Sequence, residues 1–477
     1  MLEPLIIGAG PAGLSAAWEL AQASVPAVLM EEAHTVGGLS RTERYRGFRF
    51  DIGGHRFFSR NPAMVACWQD WLGPDLLEVR RLSRILYDGK LLAYPLRPWQ
   101  ALVRLGPWQS LQAVASYAWA RAFPRHPVRS FEDWVVNHFG NYLYRAFFQS
   151  YTEKVWGMSC RDIGAEWASQ RIMGLTLRGA LSPRSPRSLR TLADSFYYPR
   201  LGPGMMWEAL ADRLRTRGCE LHLGTRVEQV SIQDTEVHVQ LRDSDGQYRT
   251  VRASHVISTM PLRHLLLTLT PRPPQPVLEA AAALAYRDFL TVALVVDQPA
   301  LFPDQWLYVH EPNVRVARIQ NYKNWSPEMV PDARFTCLGL EYFCFDGDGL
   351  WNRSDAELLD LAASELASLG LSSRRHVVDG AVVRVRKAYP VYDTGHPDRQ
   401  RLLERYLDSL QPRLQVAGRN GMHRYNNQDH AMMTGMLTAR NLLGARHNPW
   451  RVNSEAQYLE GAEARLVPLQ RLAEEPI

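Results

Sequence analysis

Leu5-Ile6-Ile7-Gly8-Ala9-Gly10-Pro11-Ala12-Gly13, with the helix-like Leu14 to Ala23 behind it and a second apolar run, Ala27-Val28-Leu29-Met30, ending at Glu31, decides the fold. It reads as strand, glycine turn, helix and strand, with an acid at the tip of the second strand. Glycines at 8, 10 and 13 permit a tight turn, close approach of backbone to a pyrophosphate, and close helix–strand packing, so the helix N-terminus faces an anion. Glu31 is placed for ribose hydroxyls, and Glu32 beside it should point the opposite way. An isolated Gly-x-Gly-x-x-Gly is a weak signal, but this one has its strand, its helix and its acid in order, which favours a dinucleotide site over an incidental turn.

The rest of the chain limits what that site can serve. Its 477 residues, 46% hydrophobic and 22% charged, suit a folded protein of two or three domains. A net charge of +6 and a pI near 9.1 suit anionic small ligands. No Lys/Arg run exceeds short pieces such as Arg80-Arg81 and Arg374-Arg375, so nucleic acid is not an expected partner. Five scattered cysteines with no Cys-x-x-Cys argue against a disulfide framework and a zinc site, and point to a reducing cytoplasm; no metal is expected. There is no basic leader before the first apolar stretch and no run of 18 apolar residues, so neither a Sec signal nor a spanning helix is predicted.

Helical periodicity is predicted over Asn61–Leu72 and from about Trp99 to Phe147, a loop over Ser182–Arg190, and an amphipathic helix over Trp207–Arg217. Strand patterns follow at Glu220–Leu223, Val237–Leu241, Val251–Ile257, Val292–Val296 and Thr336–Phe343, with helices at Asp355–Leu369 and His430–Leu443.

Past Glu31 comes Val36-Gly37-Gly38-Leu39-Ser40-Arg41, a second glycine pair followed by a cation. The succession Gly-x-Gly-x-x-Gly, Glu, Gly-Gly-x-Ser-Arg resembles the glutathione-reductase-like FAD proteins of the second group, which include amine oxidases, protoporphyrinogen oxidases and UDP-galactopyranose mutases. Gly224-Thr225-Arg226-Val227 and Val256-Ile257-Ser258-Thr259-Met260-Pro261 fit the same class. The resemblance implies FAD held by Gly8, Gly10, Gly13, Glu31, Gly37, Gly38, Arg41, the backbone of Val227, Gly418 and Arg419.

Several further segments resemble UDP-galactopyranose mutases. Phe50-Asp51-Ile52-Gly53-Gly54-His55 is similar to their flavin-side glycines and histidine. Tyr151-Thr152-Glu153-Lys154-Val155-Trp156-Gly157 is similar to the segment whose tryptophan borders the nucleotide sugar, and Arg171 follows at the spacing of a diphosphate arginine. Arg318, Tyr389 in Tyr389-Pro390-Val391, and Tyr425 seven residues past Gly418 match further diphosphate-binding positions. Taken singly, Trp156 suits a core, Arg171 a solvated helix, Arg318 a sheet edge and His55 a surface turn. Asn427 stands where bacterial mutases carry an aspartate, and residues 91–130 do not match their uridine-binding region.

The implied architecture is an α/β protein. A Rossmann-like FAD domain would be assembled from 1–75, 196–265 and 405–477, with a helical and substrate-domain insertion at 76–195 and a mixed β-sheet substrate domain at 266–404. The resemblance implies pyranose–furanose interconversion of a nucleotide-diphosphate sugar through reduced flavin N5, with His55, Trp156, Arg171, Arg318, Tyr389 and Tyr425 lining the substrate cavity; NAD(P)H is one candidate for the external reductant, which the sequence itself does not name. The alternative is an FAD oxidoreductase of the amine oxidase or protoporphyrinogen oxidase type. Trp99, Trp108 and Trp119 with Arg97, Arg104, Arg121 and Arg125 form an aromatic, basic helical stretch; it reads first as a face of the helical domain and otherwise as a peripheral membrane contact.

Overall fold

The computed structural model describes residues 2–59, 61–94, 106–165 and 195–453. Among these, one five-stranded parallel sheet runs Leu414–Val416, Val256–Ser258, Leu5–Ile7, Val28–Met30, Glu220–His222. Its strands come from segments far apart in the chain. They are short and continuously apolar because both faces are covered. Ile6, Leu29 and Ile257 point into one core, with the helices Pro11–Gln22, Gly204–Arg215 and Gln428–Leu442. Leu5, Ile7, Met30 and Val256 point into the other, beneath a second sheet of Arg226–Ile232, Val237–Arg242, Tyr248–Ala253 and Leu269–Thr270.

The strand predicted over Val251–Ile257 is two strands. Tyr248–Ala253 ends the second sheet, and after Ser254-His255 the chain enters the parallel sheet at Val256–Ser258. The sequence marks the switch where alternation gives way to consecutive apolar residues, the pattern of a strand buried on both faces.

A seven-stranded mixed sheet forms the other half, in the order Val377–Pro390, Tyr286–Val296, Thr336–Cys344, Arg318–Asn321, Trp306–Val309, Ser83–Tyr87, Lys90–Ala93. The helix Asp355–Ser368, capped by reciprocal Ser354 and Glu357 hydrogen bonds, packs Leu358, Ala362 and Leu366 against Leu290, Val292, Leu340 and Tyr342. The hairpins Thr42–Tyr45/Phe48–Asp51 and Ser83–Tyr87/Lys90–Ala93 were not predicted. Their signals are two-residue turns, Arg46-Gly47 and Asp88-Gly89, with both residues at positive φ (48° and 85°; 51° and 65°).

The long helical stretch predicted from Trp99 is, in its described part, two helices, Pro107–Ala122 and Phe131–Leu143, parted by a segment containing Pro124 and Pro127. Ser130 and Asp133 form a capping box at the second helix. The chain continues through a π-helical turn, Tyr144–Gln149, into Ser150–Trp156. Trp99, Arg97, Arg104 and the loop predicted over Ser182–Arg190 lie outside the described residues.

Glycine packing joins the two chain ends. A Cβ on Gly435 would lie 2.1 Å from the carbonyl oxygen of Ala12, so the helices Pro11–Gln22 and Gln428–Leu442 touch backbone to backbone. Replacing Gly435 with Ala is expected to destabilise the protein by about 1–3 kcal/mol. Gly349→Ala, on a surface turn with nothing within 4 Å, should change it by less than about 0.5 kcal/mol. Urea midpoints of the two variants provide the comparison.

Fully buried His423 packs edge-on to Tyr286 and beside His396. Burial, chiefly, pushes its pKa down to about 3, so it is neutral in the folded chain. The unfolded chain gains a proton there below about pH 6.5, so this histidine's share of stability is complete above that pH and is lost as pH falls towards 3. His423→Asn should be less stable than the parent at pH 7.5. The gap should narrow by roughly 1.4 kcal/mol per pH unit below 6.5, as read by denaturant titration at several pH values.

Candidate functional site

One cavity of about 1130 Å³ runs between the parallel sheet and the seven-stranded sheet. At one end its wall is backbone. Gly8 has φ +100°, and a Cβ there would lie 2.1 Å from Thr259 Oγ1; on Gly13 it would lie 1.9 Å from the Gly8 carbonyl oxygen. Pro11 opens the first helix at a position where the missing N–H costs nothing, and Gly8, Gly10, Pro11 and Ala12 line the cavity. The second glycine turn sits on the first: Gly37 and Gly38 have positive φ, and Gly37 N–H donates to the Ala9 carbonyl at 2.8 Å. Gly38 lines the cavity, whereas Gly13 and Gly37 support the turns from behind.

Glu31 accepts the N–H groups of Ala9 at 2.7 Å and Ala33 at 2.9 Å. Burial raises its pKa above the ordinary carboxylate value, and these two donors oppose the rise. Glu32, which the sequence places facing the opposite way, also lies at the cavity rim, where it is exposed and pairs with Arg226 at 3.3 Å. Arg41 is held by Glu43 at 2.7 Å and the Gly38 carbonyl at 3.1 Å. Val227 lies on the cavity wall with its side chain in the core beneath. The glycine cradle, which side chains would fill, and the acid at the strand tip fit a dinucleotide with its pyrophosphate at the helix N-terminus.

The middle of the cavity is crossed by Gly53-Gly54-His55. A Cβ on Gly54 would meet Gln320 Nε2 at 2.9 Å. The segment is anchored upstream by fully buried Asp51, whose carboxyl accepts from Tyr198 Oη at 2.7 Å and whose carbonyl accepts from Tyr322 Oη at 2.7 Å. Burial raises the Asp51 carboxyl well above the ordinary range. His55 Nδ1 makes no well-formed hydrogen bond among the described residues. Burial, then the positive charges of Arg419 and Arg318, push the imidazole's pKa down to about 3, so it is neutral near pH 7.

At the far end the wall is built of side chains. Arg318 Nε pairs with Glu341 Oε2 at 2.5 Å across adjacent strands, in direct register. Gln320 Nε2 donates to the other Glu341 oxygen at 2.7 Å, and Arg318 Nη2 donates to Tyr389 Oη at 3.1 Å. The Tyr389 ring stacks on Tyr425 with centroids 5.6 Å apart, and the Arg419 guanidinium lies 5.3 and 4.8 Å from the two rings. Arg419 donates to the carbonyls of Asn426 at 2.9 Å and Ala388 at 3.2 Å. Gly418 is held by Thr434, at 3.0 Å from its N–H. Burial is the main influence raising the Tyr389 phenol, against the pull of Arg318.

Trp156 ends its helix with its ring buried at the cavity wall. The next residue, Gly157, has φ +64°, and a Cβ there would strike the buried Arg287 guanidinium at 2.5 Å. Lys154, on the same helix, donates to the carbonyls of Val309, Glu311 and Val316 at 3.2, 2.9 and 3.2 Å, tying helix to sheet.

Thus His55, Trp156, Arg318, Tyr389, Tyr425 and Arg419 line the same cavity as the glycine turns. Arg171 lies outside the described residues. Sequence reasoning missed Glu341, Gln320, and the stacked pair Tyr151 and His310, whose rings are 4.5 Å apart. Glu341 had a signal, being the sole acid in the apolar run Thr336–Cys344.

The chain resembles known proteins over nearly its whole length. The coproporphyrinogen III oxidase of Mycobacterium tuberculosis is 26% identical over 440 residues, covering 87% of this chain and 91% of the relative. A crystal structure of reduced UDP-galactopyranose mutase superposes with a TM-score of 0.81 at 24% identity, covering 95% of this chain and 99% of the other. Putrescine oxidase bound to putrescine superposes with a TM-score of 0.62 at 18% identity, covering 93% and 99%. These superpositions establish a shared fold, the Rossmann-like FAD-binding architecture with a mixed-sheet second half. The model of the flavin containing amine oxidoreductases matches residues 11–443, and the chain belongs to that family.

Proposed function

We propose that the chain is an FAD enzyme that interconverts the pyranose and furanose forms of a nucleotide-diphosphate sugar. The observation that carries this reading is the cluster of Arg318, Arg419, Tyr389 and Tyr425 beside a neutral His55. Two half-buried guanidiniums face the cavity, and the nearby carboxylate, Glu341, is already engaged by Arg318 and Gln320. A cationic amine would meet uncompensated positive charge there. A diphosphate would accept hydrogen bonds from the guanidinium fork and both phenols.

The FAD would be held by the turn of Gly8, Gly10 and Gly13 at the helix N-terminus, with Glu31 on the ribose. Gly37, Gly38, Arg41, the Val227 backbone, Gly418 and Arg419 would complete the cradle. When bound, the flavin supplies a centre that is nucleophilic towards carbon when reduced and accepts hydride when oxidised. Arg318, Tyr389 and Tyr425 would stabilise charge developing on a leaving diphosphate, with Arg171 as a second arginine by its place in the sequence. His55, uncharged, can accept a hydrogen bond from a sugar hydroxyl. Trp156 would close the site against water. NAD(P)H would serve as the external reductant.

A second reading is an oxidase removing hydride from a polycarboxylate macrocycle. Its support is the 26% identity to coproporphyrinogen III oxidases and an aromatic cavity wall that includes Phe131, Phe147 and Phe148. Anaerobic, dithionite-reduced protein given UDP-galactopyranose should yield the furanose isomer by chromatography, and the oxidised protein should not. If the reduced protein is inert while the aerobic protein makes porphyrin and peroxide from coproporphyrinogen III, the second reading replaces the first.

Arg318→Ala should lower turnover by about 10²–10³ and retain its yellow flavin. It should also lose about 3–5 kcal/mol of stability, because Glu341 is left buried without its partner. Adding Glu341→Gln should recover stability without recovering turnover, measured by thermal melts and steady-state assays on the same preparations.

A further inference from the structure

Among the described residues, twelve large hydrophobic side chains are exposed, and six of them fall between Trp108 and Val128. This concentration belongs to the helix Pro107–Ala122 and the turn after it. The helix is two-faced. Ala113 and Ala120 are buried towards the helix Phe131–Leu143, whose Gly140 would place a Cβ 2.7 Å from Tyr117 N. On the opposite face Trp108, Leu111, Ala115, Ala118 and Trp119 recur at three- and four-residue spacings, all exposed, with Trp108 and Trp119 each 69% accessible. Phe123 extends the face, its ring 4.6 Å from that of Trp119.

A soluble surface rarely carries so continuous an apolar strip without a partner. The charge around it selects that partner. From Gly89 to Phe131 the sequence has six Lys or Arg and no Asp or Glu. Arg121 and Arg129 are exposed at the end of the helix and in the turn beyond. The acids that follow, Glu132 and Asp133, are within 2.7 and 3.5 Å of Arg125, and Arg161 also holds Glu132, at 3.0 Å. An apolar helical face with a tryptophan near each end and a basic border matches the interfacial zone of an anionic bilayer. Sixteen residues span about 24 Å along that plane. Among the described residues no helix is long and apolar enough to cross a membrane.

We propose that the helix Pro107–Ala122 and the turn to Arg129 dock the protein on the surface of an anionic lipid bilayer, with Trp108, Leu111, Trp119 and Phe123 inserted at the headgroup–acyl boundary. The docking serves the cavity by position, since Phe131, Phe147 and Phe148 from the same helical layer line it. It does not depend on which substrate the cavity takes.

The test is flotation of the full-length holoprotein with vesicles of phosphatidylcholine alone or with 30 mol% phosphatidylglycerol, at low and high salt. Binding at least tenfold greater on the anionic vesicles, and weakened by salt, is expected. Trp108→Gln with Trp119→Gln should lose at least tenfold of that binding while keeping the parental melting temperature. Arg121→Glu with Arg129→Glu should do the same without touching the apolar strip, so the proposal is still tested if the tryptophan variant misfolds. A parent protein that ignores anionic vesicles overturns the proposal. So does a parent that sediments as a dimer dispersed by the tryptophan substitutions and stays off vesicles, which would show a second copy covering the face.

Discussion

Backbone contact at glycine holds this molecule together. Gly13 lets the first helix press on the carbonyl of Gly8, and Gly435 lets a helix from the far end of the chain press on the carbonyl of Ala12. Gly418, φ +83°, belongs to a third segment packed so closely that a Cβ there would lie 2.9 Å from the Ala12 side chain. A parallel sheet whose strands come from residues 5–30, 220–222, 256–258 and 414–416 has no local hairpins to hold its order. Its order rests on these side-chain-free contacts and on the two cores divided by alternate residues of each strand. The same omission of side chains that packs the helices opens the dinucleotide end of the cavity.

The other end follows a different physical rule. Arg318 and Glu341 are costly groups to bury, and their direct register lets each offset the other's desolvation, with Gln320 satisfying the second carboxylate oxygen. Arg419 has carbonyl and aromatic partners instead of a carboxylate, so its charge stays available to the cavity. That field is one cause of the neutral His55. Burial is the larger cause, and the two guanidiniums add to it.

How far the sequence disclosed this depended on how local each feature is. Gly8, Gly10, Gly13 and Glu31 are legible because a turn, a helix start and a strand tip are fixed by neighbours a few residues away. Tyr389 and Tyr425 could be picked out only through resemblance, because their 5.6 Å stacking joins a strand of one sheet to the loop ahead of the C-terminal helix. Glu341 was missed although it is the one acid of an apolar strand, and its partner is set by strand register across non-consecutive elements, which periodicity does not reveal. Val251–Ile257 shows the converse. Its local pattern reads as strand at both ends, the change from alternating to consecutive apolar residues is brief, and the two ends pair in different sheets.

The two ends of the cavity differ in their sensitivity to substitution for a physical reason. A wall made of main chain and glycine is insensitive to side-chain identity, provided the turn geometry survives, so it can persist where overall identity falls to 24% or 18%. A wall made of Arg318, Tyr389, Arg419 and Tyr425 changes with each substitution, and one changed charge alters which ligand is desolvated at acceptable cost. Family membership rests on the match over residues 11–443, and the proposed reaction rests on the second wall. Reduced to its charges, that second wall is two guanidiniums, one engaged carboxylate and a neutral imidazole. Within a family whose name describes amine chemistry, this arrangement is the ground on which we propose an anionic substrate in place of a cationic amine.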